Sequence, residues 1–318
     1  MNIFEFLGLP KDHRKEGKVT QLVKHYDEVS EKHKGKKLFG QVKKDGVCTL
    51  MLVFKGRAHL FSRTGKKFTN VSYVENMVAG SAIPEGMYMG ELCCREASLE
   101  VLSGVVNPKR VNKLSADQEI VSNTLKLFLF DLITIKEFIQ GASDVPYIDR
   151  YHNLKLDLIL LSTPSIAATL HTLKVEVLHN ENDFEAFLNR HVGSGEEGVV
   201  YRDPYAGWEA GHKGWRVMKK VRGVDYDLRC IGLEEGTGKY TGKVANLLFA
   251  WKDGKIIKCM LGKGWTHDMA EKMFIRKDEL DTPIGKIFQV YALEESSKGK
   301  LRLPKVGEMR HDKDEADF

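Results

Sequence analysis

Two apolar runs, residues 47–54 and 57–62, are separated only by Lys55-Gly56. A two-residue connection leaves no room for a crossover, so these runs must fold back on each other as an antiparallel hairpin. Further runs of strand length lie at 38–42, 87–93, 125–132, 197–202 and 215–220. Helical spacing intervenes. Leu22, Val23, Tyr26 and Val29 predict a helix over 19–33. Asn182 followed by Glu185 resembles a capping box, with Phe184, Phe187, Leu188 and Val192 behind it at helical spacing. Strands with interspersed helices give an α+β class.

After about Asp225 the texture changes to short strands and tight turns. Lys252-Asp253-Gly254-Lys255 is a hairpin signal between 247–251 and 256–260. A single helix is expected to start at Thr266, with Met269 and Met273 on its buried face, and 287–293 is a further strand. Five or so strands with one helix fit a small Greek-key barrel of the OB type. The expected division is 1–224 and 225–318, with a hinge near 224–228.

The chain has 318 residues, 42% hydrophobic and 29% charged, enough to bury a core and unlike a disordered chain. No apolar run is long enough for a membrane span, and residues 1–6 do not read as a signal peptide. The five cysteines, Cys48, Cys93, Cys94, Cys230 and Cys259, are odd in number and form no CxxC pair. A disulfide framework or zinc site is therefore not expected, and a reducing cytoplasm fits. The net charge of +5 permits nucleic-acid binding without requiring it. Basic residues gather at Lys34, Lys36, Lys37, Lys43 and Lys44, and again at Lys213, Arg216, Lys219, Lys220 and Arg222.

Lys43-Lys44-Asp45-Gly46 is a K-x-D-G, on its own a weak signal that also reads as a turn between strands. It gains force from six further motifs that succeed it in order along the chain: Ser62-Arg63-Thr64-Gly65, Gly90-Glu91-Leu92, Phe130-Asp131, Glu197-Gly198-Val199-Val200, Val217-Met218-Lys219-Lys220 and Arg310-His311-Asp312-Lys313. Alone, Phe130 reads as a core aromatic, Glu196-Glu197 as a solvated pair and 310–313 as a charged tail. The ordered set resembles the covalent nucleotidyltransferases, the superfamily of ATP-dependent DNA ligases, RNA ligases and mRNA capping enzymes. The resemblance runs from about Lys34 to Lys313, and within the superfamily it is to compact, phage-type or accessory bacterial ATP-dependent DNA ligases.

The resemblance implies an adenylation (nucleotidyltransferase) domain of antiparallel sheets with helices over 1–224, then an OB-type β-barrel domain over 225–318. It implies ATP and Mg²⁺ as cofactors and nicked duplex DNA as partner. The nick's 3′-OH and 5′-phosphate would be joined through a lysyl-AMP and then an adenylated 5′-phosphate. Lys43 would be the nucleophile and Asp45 would support later steps. Arg63 would contact phosphate of the nucleotide or the nick, Glu91 would bond the ribose hydroxyls, and Phe130 would stack on adenine. Glu197, with Glu91, would bind the metal, and Lys219 would hold the α-phosphate. Arg310 and Lys313 would orient the leaving pyrophosphate as the C-terminal domain closes. A lysine attacks phosphorus only as the neutral amine, and the free side chain is almost wholly protonated at pH 7. Lys44, Arg63, Lys219 and a metal would favour the neutral form.

Three positions depart from the family pattern. Cys48 stands where many members have an arginine: either another base substitutes, with Arg57 of the same hairpin a candidate, or that contact is missing. Val217 replaces the first of two late lysines, with Lys220 or Arg216 as candidates to compensate. Gln41 replaces a glutamate, and its amide oxygen can still accept from the adenine amino group. Asp-Gly where this chain has Glu197-Gly198 would favour a capping guanylyltransferase; absence of the C-terminal barrel would favour an RNA ligase. A non-catalytic OB-type nucleic-acid binder leaves Lys43, Glu91 and Glu197 without cause. Only about 40 residues precede Lys43, fewer than a domain of typical size. DNA would then be held by the two core domains, helped by a surface insertion at 95–122 carrying Arg110 and Lys113. A monomer is expected, in the cytoplasm, or in a host's cytoplasm if the source is viral. Roles in DNA replication, repair and recombination are the corresponding expectations.

Overall fold

The computed structural model describes residues 1–318 other than 162, 222, 263, 277–281, 294, 297 and 298; Arg222 of the second basic cluster therefore lies outside the described residues. Contacts divide the chain into Met1–Val221 and Arg222–Phe318.

The first unit is built on two five-stranded sheets. One contains β1 (Leu22–His25), β2 (Leu38–Lys43), β8 (Glu176–Leu178), β9 (Gly198–Arg202) and β10 (Lys213–Val221), in the order β1-β10-β9-β2-β8. The other contains β3 (Val47–Phe54), β4 (Arg57–Ser62), β5 (Gly86–Cys93), β6 (Lys126–Ile133) and β7 (Leu170–Thr172), in the order β4-β3-β5-β6-β7. The expected hairpin is β3–β4, with Phe54 opposite Arg57 and Thr49 opposite Ser62. One face of this sheet packs Met51, Val53 and Leu60 of the hairpin and Leu127 and Leu129 of β6 with the helices Ser72–Val78 and Tyr147–Leu161 in a continuous apolar core.

The Lys43 turn behaves differently from a hairpin. β2 pairs with β8 and β9, whereas β3 pairs with β4 and β5, so Lys44-Asp45-Gly46 carries the chain from one sheet to the other. Gly46 is required there by space: a Cβ would stand 2.6 Å from the Leu92 carbonyl oxygen. The turn expected from Asp-Gly is thus a sheet switch, and it leaves Lys43 at the end of its strand.

Other expectations are corrected. Residues 19–33 form β1 between short 3-10 turns rather than a helix. Val23 is exposed while Val19, Tyr26 and Val29 are buried, so the supposed helical stripe is no single face, and parallel pairing of Leu22–His25 with β10 wins. The helix Glu181–Gly193 is capped two residues earlier than expected, by Asn180 accepting from the Asp183 N–H. Residues 95–122 are not a mere surface insertion: helices Leu99–Val105 and Ala116–Asn123 send Leu102, Val105 and Val121 into the core.

In the second unit β11 (Val224–Glu235), β12 (Val244–Ala250), β13 (Ile256–Leu261), β14 (Ile287–Ala292) and β15 (Lys305–Met309) close a barrel in the order β11-β12-β13-β15-β14. The β12–β13 turn uses Asp253 and Gly254, both at positive φ, as an Asp-Gly turn demands. Helix His267–Ile275 is capped by Thr266. It buries Ala270 and packs Met273 and Phe274 against the barrel, whereas Met269 is exposed, one position off the expected face.

Candidate functional site

A cavity of about 560 Å³ opens between the two sheets of the first unit. One wall is β2, β9 and β10, presenting Gln41, Lys43, Val200, Val217 and Lys219; the other is β3, β5 and β6, presenting Cys48, Glu91 and Phe130. Period-two alternation accounts for the selection, since Gln41 and Lys43 share one face of β2 as Leu50 and Cys48 do on β3. Arg63, just after β4, also lines the space.

Lys43 Nζ donates to Glu197 Oε2 across 2.5 Å. Register explains the contact: Gly198, the first residue of β9, pairs with Lys43. Gly198 is also constrained, because a Cβ there would run into the Lys220 backbone on β10. The neighbouring acid Glu196 pairs with Lys44, so the two carboxylates and two lysines are matched in order.

Desolvation, with Glu197 and Asp45 adding negative charge, pushes the Glu91 carboxyl up to about 7, against opposing pulls from Lys43 and Arg63. Burial, and then Lys43, lower the Lys219 ammonium. Desolvation and Glu91 hold the Cys48 thiol at about 12, so it stays neutral beside the acid. Asp45 does not line the cavity but contributes charge to it. A further pair of charges lies deeper. Asp131 is 1% exposed and takes a two-pronged pair from Arg150, at 2.8 and 2.9 Å; Arg150 also donates to the Val145 and Ala206 carbonyls. This pair anchors β6 directly beside Phe130, whose carbonyl receives the Tyr147 hydroxyl at 2.8 Å.

The expected substitutes for the departing positions are displaced. Arg57 is exposed at the far end of the β3–β4 hairpin, opposite Phe54, whereas Cys48 lies next to the end that leads to Arg63. Lys220 points off the cavity to Glu185 and Asp27, and Arg216 pairs with Glu209. Arg63, Lys213 and Lys219 line the cavity instead. Gln41 Oε1 is already engaged, receiving Arg202 Nε at 2.8 Å and lying 3.1 Å from the Tyr147 hydroxyl; its Nε2 donates to the Leu173 carbonyl.

Other expected residues lie elsewhere. The Arg110 guanidinium folds onto its own segment, donating to the carbonyls of Gly104, Asn112 and Lys113 and to Gln118 Oε1, while Lys113 is exposed. In the barrel unit Arg310 and Lys313 both pair with Asp227, a buried acid of β11. Sequence reasoning assigns no role to Arg202, or to Asp131 and Arg150. The signal available for Arg202 is its period-two spacing from Gly198 in a short strand.

A lysine at a sheet switch over a two-sheet cavity, with a five-stranded barrel in the second unit, is the construction of a nucleotidyltransferase domain and an OB-like domain. Family models agree in extent: residues 18–221 match the ATP dependent DNA ligase domain, and 235–310 match the DNA ligase OB-like domain. The chain belongs to the ATP-dependent DNA ligase family. DNA ligase 2 of Korarchaeum cryptofilum is 25% identical over 278 residues, 80% of this chain and 44% of that protein. The chain spans less than half the length of the first curated relatives it matches. Among solved structures, Pmar-Lig_PreS3 superposes with a TM-score of 0.76 at 21% identity, over 92% of this chain and 67% of that one. A structure from work on Lig E DNA ligases gives 0.69 at 17% identity, over 92% and 98%. These two likenesses concern the fold.

Proposed function

We propose that the protein is an ATP-dependent DNA ligase that seals nicks in duplex DNA, with Lys43 as its nucleophile. The observation that carries this reading is the Lys43–Glu197 contact of 2.5 Å beside a cavity lined by Glu91, Phe130, Arg63 and Lys219. Nζ attacks the α-phosphorus of ATP; the P–N bond forms as the bond to pyrophosphate breaks, and the amine loses a proton. Glu197 already accepts from that amine. The 5′-phosphate of the nick then takes AMP from lysine, and the 3′-OH displaces AMP to form the phosphodiester. Lys219 and Arg63 bear on the phosphates, Glu91 on the ribose and Phe130 on the base. Asp45 serves the later steps, and Arg310 and Lys313 orient pyrophosphate. The domains that do this work are residues 1–224 and 225–318.

Among the described residues no three histidine, cysteine or acidic side chains gather as a ready cation cage. That suits Mg²⁺, which is commonly held by one or two carboxylates plus substrate phosphates. Glu197 and Glu91 would hold it; burial is the main cause of the raised Glu91 carboxyl, and the added negative charge of Glu197 and Asp45 beside it is the observation favouring a cation there. The ion would neutralise charge on the phosphates. No helix among the described residues is long and apolar enough to cross a membrane. The reading carries a monomer at work in the cytoplasm, with Arg63, Arg110 and Lys113 touching DNA.

Sealing of a nicked DNA duplex in the presence of ATP and Mg²⁺ tests the proposal. DNA nicks should be sealed faster than RNA nicks. Faster sealing of RNA would favour an RNA ligase, and covalent label from GTP alone would favour a capping guanylyltransferase.

A further inference from the structure

Residues 310–318 follow β15 and are held by Tyr226, Asp227 and Arg229 of β11. The Arg310 guanidinium and the Lys313 ammonium both reach the Asp227 carboxylate. Arg229 donates to the Asp314 carbonyl at 2.8 Å. Asp317 and Asp227 exchange two bonds of 2.8 Å: the Asp317 N–H donates to the Asp227 carbonyl, and the Asp227 N–H to the Asp317 carboxylate. The Phe318 ring lies 5.7 Å from that of Tyr226 and 4.9 Å from that of Trp251. Asp227 is the centre of this arrangement, its side chain facing two cations and its backbone holding the segment that follows them. That side chain is 8% exposed, against 26% for Arg310 and 40% for Lys313. A carboxylate so shielded must be paired, and here its partners are the two cations.

The two cations differ in what they have left to give. Arg310 Nη1 meets both Asp227 oxygens, at 3.0 and 2.9 Å, while Nε and Nη2 take the two oxygens of Asp312 at 2.9 and 2.8 Å. Each guanidinium nitrogen is thus committed to a carboxylate. The Lys313 ammonium has three N–H groups, donates to Asp227 and meets no second acceptor among the described residues, so it keeps donors for a further anion. A free lysine arm loses rotamer entropy when it binds an anion; a shielded carboxylate that holds it in advance removes that cost. We infer that Asp227 is a positioning residue for the adenylation step: braced by Arg310, it fixes the Lys313 ammonium as the group that meets pyrophosphate. This inference rests on the reading above that Arg310 and Lys313 serve pyrophosphate.

The test is the reverse of adenylation. Protein carrying labelled AMP on Lys43 is mixed with pyrophosphate and Mg²⁺. A pyrophosphate oxygen bonds to the AMP phosphorus as the P–N bond breaks, the lysine amine takes up a proton, and ATP leaves. Asp227→Asn keeps the shape of the side chain and removes its charge. It should raise the pyrophosphate concentration for half-maximal release about 10-fold, while sealing of nicks already adenylated at the 5′-phosphate changes by less than about 2-fold. Asp227→Glu shifts the carboxylate by one methylene and should give the same selective rise should the asparagine variant not fold. Lys313→Met should lose at least as much, and adding Asp227→Asn to it should cost little more, because the acid acts through the lysine. Unchanged pyrophosphate dependence in a folded Asp227 variant overturns the inference. So does tighter use of pyrophosphate, which would make the acid a mask over the cations, and so does an equal loss in both reactions, which would make it a structural residue only. Lys313→Met that uses pyrophosphate like the unmodified protein sinks the reading of Lys313, and this inference with it. Failure of the unmodified protein to take label from ATP instead sinks the ligase reading itself.

Discussion

Lys43 Nζ and Glu197 Oε2 are 2.5 Å apart although 154 positions separate them in the chain, and the pairing of Gly198 with Lys43 is what joins them. Because the contact is made by a group at the reacting amine, its loss should fall on chemistry and not on folding. Glu197→Ala should slow adenylation of Lys43 by about 100-fold or more, with little change in Tm. Rapid-quench labelling beside thermal unfolding checks this; an unaltered labelling rate would remove Glu197 from the site.

Glu91 gives a pH dependence with a definite sign. Its carboxyl sits at about 7 in the folded protein against an ordinary 4.5, so the folded state holds the proton more tightly than the unfolded chain. Its contribution is fully present below about pH 4.5 and is lost as pH rises through 7, amounting to roughly 3–4 kcal/mol. In metal-free protein, Glu91→Gln should therefore flatten the fall in stability between pH 5 and 8. Urea titrations at several pH values measure it, and an identical fall in both proteins would contradict the assignment.

The Asp131–Arg150 pair is almost wholly shielded, with side chains 1% and 4% exposed. Removing one partner strands the other. Arg150→Met should cost about 3–5 kcal/mol. Asp131→Asn combined with Arg150→Met should recover part of that loss, because no charge is then left alone. Chemical denaturation of the three variants tests the non-additivity.

Arg110 and Lys113 should separate. Lys113→Glu, at an exposed site, should weaken binding to nicked DNA and reduce the salt slope by about 1, leaving adenylation intact. Arg110→Glu should in addition lower Tm, because four internal acceptors lose their donor. Filter binding at several salt concentrations, read beside Tm, distinguishes the two.

Strands are legible where apolar runs meet unambiguous turns: 57–62 coincides with β4 and 47–54 with β3. Residues 19–33 are not, because spacing compatible with a helix is also available to an edge strand held by a distant partner, here β10. The Asp-Gly at 45–46 announces a turn but not that its flanking strands belong to different sheets, which depends on pairings far along the chain. Motif order brings Gln41, Lys43, Arg63, Glu91, Phe130 and Lys219 to one cavity. It says nothing of Arg202 or of the Asp131–Arg150 pair, whose contacts exist only once the strands and helices are packed. Arg57 fails as a substitute for the position of Cys48 because membership of one hairpin is not proximity: the two lie toward opposite ends of β3–β4.

The most direct test is covalent labelling of Lys43. Incubated with ATP labelled at the α-phosphate, the unmodified protein should carry label through gel denaturation, and peptide mapping should find it on Lys43. Lys43→Ala should carry none, yet still seal nicks whose 5′-phosphate is already adenylated. Label on Lys43→Ala from ATP would contradict the account at its centre.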